Sequence, residues 1–156
     1  MKSSRKLGYG PGESGWGRSA IAVTEPRSKK HRIIVADDQE EVLQIVTATL
    51  RDGYQIVGLA ANGRDLLDLV QALKPDIVVL DISMPLINGI EVVFRLRTDG
   101  CCAKLVCITV HEDRDFVEAA FAAGAHGYVL KSRLASDLIP AIKNALDNGF
   151  FVSPGV

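Results

Sequence analysis

Residues Val78–Gly89 read VVLDISMPLING: three aliphatic residues run into a single aspartate, Asp81, and a proline and a glycine then break the pattern at Pro85 and Gly89. A short apolar run bounded by turn residues predicts a buried strand. The same pattern recurs on both sides of it, in RIIVAD (Arg32–Asp37), YQIVGLA (Tyr54–Ala60), KLVCITV (Lys104–Val110) and GYVLK (Gly127–Lys131). Helical periodicity fills the intervals. Val42, Ile45, Val46, Thr49 and Leu50 share a face of the first helix, which Arg51-Asp52-Gly53 closes. Leu66, Leu69, Val70 and Leu73 line the second, opened by Asn62 and Gly63 and ended before Pro75. Ile90, Val93, Phe94 and Arg97 mark the third, and DRDFVEAAFAAG the fourth, ended by Gly124. The fifth is predicted to start near Ser136 as N-cap, with Pro140 close to its first turn and Leu138, Ile142, Ala145 and Leu146 inward. Five strand–helix units in strict alternation imply an α/β fold with a doubly wound five-stranded parallel sheet. The strands are continuous apolar runs, as a sheet covered on both faces requires.

The chain of 156 residues is long enough for one domain with a core and too short for two comfortable ones. A formal net charge of −1 argues against a protein held to nucleic acid mainly by phosphate contacts. No apolar run approaches the roughly 20 residues that cross a bilayer, and the basic N-terminus lacks the apolar segment of a secretory signal. Residues 1–30 are glycine-rich and then polar and basic, without periodicity, and are read as a flexible tail. Trp16 and the basic run Lys29–Arg32 suggest no site. Cys101, Cys102 and Cys107 are odd in number and have no ligand-set spacing. They are read as structural thiols of a reduced, cytoplasmic protein.

In an open parallel sheet, sites form beyond the carboxyl ends of the strands. The first strand ends at Asp37-Asp38, the third at Asp81, the fourth at Thr109 and the fifth at Lys131. A single aspartate after a strand is usually a turn former. Three carboxylates, a hydroxyl and an ammonium on one sheet edge are harder to assign to turns. Clustered carboxylates repel, and a hard divalent cation relieves them; oxygen ligands with room for water suit Mg²⁺, and no histidine or thiolate at these positions favours Zn²⁺. A carboxylate beside such an ion is a candidate nucleophile for an acyl-phosphate. Lys131 and Thr109 would place positive charge and a donor around transferred phosphoryl oxygens.

These residues resemble the response-regulator receiver domain of two-component signalling, matched over residues 31–149 by ADD, LDISMPLING, ITV and GYVLK in order. The resemblance implies a flavodoxin-like (CheY-like) fold and a receiver that takes a phosphoryl group on Asp81 from a sensor histidine kinase, without being an enzyme in its own right. It assigns Mg²⁺ to Asp37, Asp38, Asp81 and the carbonyl of Ser83. It assigns phosphoryl contacts to Thr109 and Lys131, and a switch to Thr109 and Tyr128, the ring turning inward behind Thr109. Pro85 and Gly89 would shape the loop beside Asp81. Ser83 and His111 would line the approach to the phosphoryl group and affect its lifetime. Lys131 is followed by Ser132, where many receivers carry proline in a cis peptide; a cis bond before a non-proline costs roughly 2.5–4 kcal/mol. His126 is read as a turn residue, and His31 as strand entry.

Three other functions compete. A phosphatase of the haloacid dehalogenase type would need an acidic residue where Ser83 stands. A flavodoxin-like electron carrier would need a hydroxyl- and glycine-rich loop where ADDQEE stands. A pseudo-receiver, a phosphorylation-independent interaction module, is the alternative reading, against which the full set of site residues argues. NALDNGFFVSPGV resembles the linker of NarL/FixJ-type regulators, with residues 150–156 as its start. It implies a transcription regulator in which a DNA-binding domain follows in a longer protein, with no DNA or membrane binding by this chain itself. The resemblance allows a homodimer through the fourth helix, fifth strand and fifth helix. Arg114, Asp115, Glu118 and Arg133 are candidate output-surface residues.

Overall fold

A computed structural model describes residues 29–156; the Gly-rich segment, Trp16 and nearly all of the expected tail lie outside the described residues. The elements run β1 (Arg32–Ala36), α1 (Glu40–Leu50), β2 (Gln55–Ala60), α2 (Gly63–Leu73), β3 (Ile77–Asp81), α3 (Gly89–Thr98), β4 (Lys104–Thr109), α4 (Arg114–Ala123), β5 (Gly127–Leu130), α5 (Leu134–Leu146) and β6 (Phe151–Val152). All neighbouring strands are parallel, in the order β2-β1-β3-β4-β5-β6.

Alternate residues of each strand enter opposite cores, the period-two consequence of the pleat. Ile34, Val78, Leu80, Leu105 and Cys107 meet Leu66 and Val70 of α2, Val92, Val93 and Leu96 of α3, and Val117 and Ala120 of α4. Ile33, Val35, Ile77, Val79, Val106 and Ile108 meet Val46 and Leu50 of α1, and Leu138, Ala141 and Ile142 of α5. β1 and β3 therefore sit between two helical layers and are buried, which is why they read as unbroken aliphatic runs.

Among the described residues the sheet has six strands, one more than the sequence pattern predicts. Phe151–Val152 pairs with Gly127–Tyr128 on the outer side of β5. Ser153 fastens this strand. Its N–H donates to the Tyr128 carbonyl (2.9 Å), its hydroxyl donates to Asp137 Oδ2 (2.7 Å), and the same hydroxyl oxygen accepts from the Leu130 N–H (3.0 Å).

Two helices each turn one expected inward residue outward. Ile45 is 52% exposed, because Val42 and Leu43 with Val46 and Leu50 form the inward stripe of α1. Phe94 is 56% exposed, since Val92 and Leu96 point inward, and at 100° per residue Phe94 falls nearly opposite them. α5 starts at Leu134, not near Ser136, after a single 3₁₀ turn over Lys131–Arg133. Ser136 is thus inside the helix, donating to the Arg133 carbonyl (3.3 Å), and Pro140 lies in its second turn.

Candidate functional site

Each strand end places one group by a local cause. Asp37 and Asp81 both close Asx-turns: Asp37 Oδ1 accepts from the Gln39 N–H (2.8 Å), and Asp81 Oδ1 from the Ser83 N–H (3.2 Å). The two carboxylates are thereby fixed in the same way, each with Oδ2 turned to the space between β1 and β3. Lys131, just beyond β5, fills that space. Its Nζ is 2.8 Å from Asp37 Oδ2 and 3.1 Å from Asp81 Oδ2, and it also donates to Gln39 Oε1 (3.2 Å).

Gly89 lets the β3–α3 loop close beside Asp81. Its N–H donates to the Ile82 carbonyl (2.8 Å), and a Cβ there would overlap the Asp81 carbonyl oxygen. In the same loop Leu86 adopts φ +70° and is exposed. Such a conformation is unfavourable for an aliphatic residue.

Asp37 and Asp81 are buried and Asp38 is exposed; ligand oxygens of the three lie within 4.8 Å of one another. Burial raises the Asp81 pKa first, and the charge of Asp37 adds to it, while Lys131 and the Ser83 N–H pull against both. Burial alone would lower the Lys131 pKa; its contacts with Asp37 and Asp81 outweigh that and raise it. One ammonium thus pairs with two of the three clustered carboxylates. Asp37 Oδ2 is buried with its ionic contact to Lys131 but no hydrogen bond of good geometry. An all-oxygen set with surplus negative charge and an under-coordinated buried oxygen fits a hard divalent cation. The donors that could hold one are Asp37, Asp38 and Asp81.

The remaining candidates form a second layer. Thr109 is buried, and its Oγ1 accepts from the His111 N–H (3.0 Å). Tyr128 is fully buried, its hydroxyl donating to the His111 carbonyl (2.8 Å). Burial pushes its phenol up to about 12, with the Thr109 hydroxyl opposing in part. The ring is therefore already inside. Ser83 and His111 meet, Oγ to Nε2 at 3.0 Å, and the imidazole stacks on Phe116 of α4 with centroids 4.1 Å apart. His111 consequently joins the β3–α3 loop to Thr109, Tyr128 and α4.

Of the expected surface set, Arg114, Asp115 and Glu118 are exposed, whereas Arg133 is half-buried and paired with Asp137 (2.7 Å). That pairing, ahead of burial and reinforced by Ser153 and Ser136, lowers the Asp137 pKa. His126 does more than make a turn. Its Nδ1 accepts from the Leu105 N–H (3.1 Å), and burial, Arg97 and Lys104 lower its pKa to about 4. Gln39 was not singled out from the sequence. A glutamine after a strand-end acidic pair carries no signal by itself, and its link to Lys131 spans 92 residues. Among the described residues no helix is long and apolar enough to cross a membrane, and all three thiols are free.

A parallel sheet sandwiched by helices, with carboxylates and a lysine meeting at its carboxyl edge, defines the class of receiver-like signalling domains. The family model for the response regulator receiver domain matches residues 33–143, and the chain belongs to that family. It is 37% identical over 116 residues to the transcriptional regulatory protein PdtaR of Mycobacterium tuberculosis, covering 74% of this chain and 56% of that protein. It is 35% identical over 127 residues to the response regulator GacA of Pseudomonas aeruginosa, covering 80% and 59%. The chain thus spans less than two thirds of the length of these curated relatives. Among solved structures, a LuxR-family two-component response regulator from Aurantimonas is 34% identical with a TM-score of 0.76, over 81% of this chain and 91% of that one. A LuxR-family DNA-binding response regulator from Staphylococcus aureus is 27% identical with a TM-score of 0.71, over 74% and 98%.

Proposed function

We propose that this receiver accepts a phosphoryl group on Asp81 from the phosphohistidine of a sensor histidine kinase. The observation that carries the proposal is the Asp81 carboxylate itself: held by the Ser83 N–H on one oxygen and by Lys131 on the other, with Asp37 and Asp38 alongside. An Asp81 oxygen attacks phosphorus, the P–N bond of the donor breaks, and its electron pair leaves on the imidazole nitrogen. A bound Mg²⁺, held by Asp37, Asp38, Asp81 and the Ser83 carbonyl, would supply positive charge to the phosphoryl oxygens. The protein supplies position and further charge. Lys131 turns an N–H from Asp81 to a phosphoryl oxygen, and Thr109 brings its hydroxyl to another.

Tyr128 follows Thr109 as the switch. Because its ring is already buried, phosphorylation stabilises the inward arrangement rather than creating it, a shift of population between two states. The face of α4, β5 and α5, edged by β6, carries the output, and a homodimer would form there. A regulator built on this receiver acts in transcription when a DNA-binding domain follows, with the receiver itself making no DNA contact and the protein working in the cytoplasm. The test is incubation with acetyl phosphate and Mg²⁺, read by intact mass. One phosphoryl group is expected on the wild type and none on Asp81→Asn or in excess chelator. A folded wild type that takes none would assign the chain to phosphorylation-independent partner binding.

A further inference from the structure

Lys131 donates to two acceptors, Asp81 Oδ2 and Gln39 Oε1, and is ion-paired with a third oxygen, Asp37 Oδ2. The neutral one of these acceptors comes from a residue in an unexpected place. Gln39 is the N-cap of α1, a position that favours Ser, Thr, Asp or Asn because a short side chain can accept from the first turn of the helix. Asn62 and Asn88, in the same position on α2 and α3, do so, accepting from Asp65 N–H (2.8 Å) and Glu91 N–H (2.9 Å). Gln39 makes no such bond, and neither do Asp113 and Arg133 at the heads of α4 and α5; what sets Gln39 apart is where its side chain goes. Its carboxamide reaches across to the ammonium, while its own N–H is taken by Asp37. One residue thus contacts two of the groups at the acidic centre and leaves its helix uncapped.

We infer that Gln39 is a positioning residue for Lys131, a role that rests on phosphoryl acceptance at Asp81. When Asp81 is phosphorylated, Lys131 turns one N–H from Asp81 Oδ2 to a phosphoryl oxygen. The ammonium has to stay over the site during that exchange. Asp37 and Gln39 are the two contacts that hold it there. A neutral amide suits this role, because it orients the ammonium by a hydrogen bond yet adds no negative charge to oppose an incoming phosphoryl group. Length matters as well. Asparagine, one methylene shorter, would cap α1 but fall short of Lys131.

Two variants separate positioning from structure. Gln39→Asn supplies a cap and removes the anchor; Gln39→Met keeps the length and has neither. Phosphorylation by acetyl phosphate at fixed Mg²⁺ is expected to slow about two- to tenfold in each, the span of one hydrogen bond. The thermal midpoint of Gln39→Asn is expected to rise above that of Gln39→Met and of the wild type. In metal-free samples, ¹⁵N relaxation of the Lys131 ammonium is expected to show greater disorder in both variants. Wild-type rates with unchanged Lys131 order would overturn the inference. So would slowing that only tracks lost stability. If the wild type itself takes no phosphoryl group, the reading of the site fails; the Lys131 relaxation data alone then decide the anchor, standing if order falls in both variants and overturned if it does not.

Discussion

Replacing Lys131 by methionine keeps the apolar stem and deletes the ammonium that Asp37 and Asp81 share. The oxygens it neutralises are 2.8 and 3.1 Å away, on residues that are 0% and 3% exposed. At an effective dielectric of about 20, each contact at ~3 Å has a gross Coulomb energy of ~5 kcal/mol, most of it offset by desolvation in the intact pair. Removing one partner leaves the desolvation uncompensated, so Lys131→Met is expected to lose about 3–5 kcal/mol at neutral pH. The Asp81 pKa is already raised by burial and Asp37, with Lys131 restraining it; without the lysine it rises further. A carboxyl with a raised folded pKa binds more protons folded than unfolded, so its destabilising effect builds as pH rises from the unfolded to the folded pKa, is complete above the latter and vanishes below the former. The deficit of Lys131→Met should therefore narrow as pH falls toward the ordinary carboxylate range. Adding Asp81→Asn removes one of the two stranded charges and should recover roughly half of the ~3–5 kcal/mol loss. Urea unfolding followed by far-ultraviolet circular dichroism, at neutral and mildly acidic pH, measures each quantity. A loss under ~1 kcal/mol, or one insensitive both to pH and to Asp81→Asn, would refute the shared-ammonium account.

Gly89→Ala should cost at least about 2 kcal/mol in urea unfolding, because the new Cβ meets backbone at Asp81 and Ile82 that cannot rotate away; a loss within measurement error would show that the loop opens freely. His126 has its pKa lowered from 6.5 to about 4, so the unfolded chain binds the extra proton first. Stability should fall as pH drops from about 6.5 toward 4, and His126→Gln should flatten that slope in pH-dependent melting. Ser153→Ala removes a donor from buried Asp137 and an acceptor from Leu130 N–H. About 1–3 kcal/mol should be lost, with faster hydrogen exchange at Leu130.

The parallel architecture was legible because β1 and β3 are buried on both faces, and continuous aliphatic runs record that directly. The candidate site was legible because each group closes a strand, and a parallel sheet brings strand ends to one edge. What escaped has physical reasons too. β6 is two residues long, too short for any periodicity, and it is held by the Ser153–Asp137 bond, which the sequence pattern does not encode. On α1 and α3 only Ile45 and Phe94 depart from the expected inward faces, being large and apolar yet exposed, because burial follows helix geometry rather than residue type. His126 and Gln39 draw their roles from partners 21 and 92 residues away. No local window contains both ends of such a contact.

The claim on which the rest depends is that Asp81, and no neighbouring carboxylate, carries phosphorus. After incubation with acetyl phosphate and Mg²⁺, borohydride reduces an aspartyl phosphate to the alcohol with loss of phosphate, leaving homoserine that peptide mass spectrometry can locate. Homoserine at position 81 alone is the predicted result. Homoserine at position 37 or 38, or none in a protein shown to be folded, would contradict it.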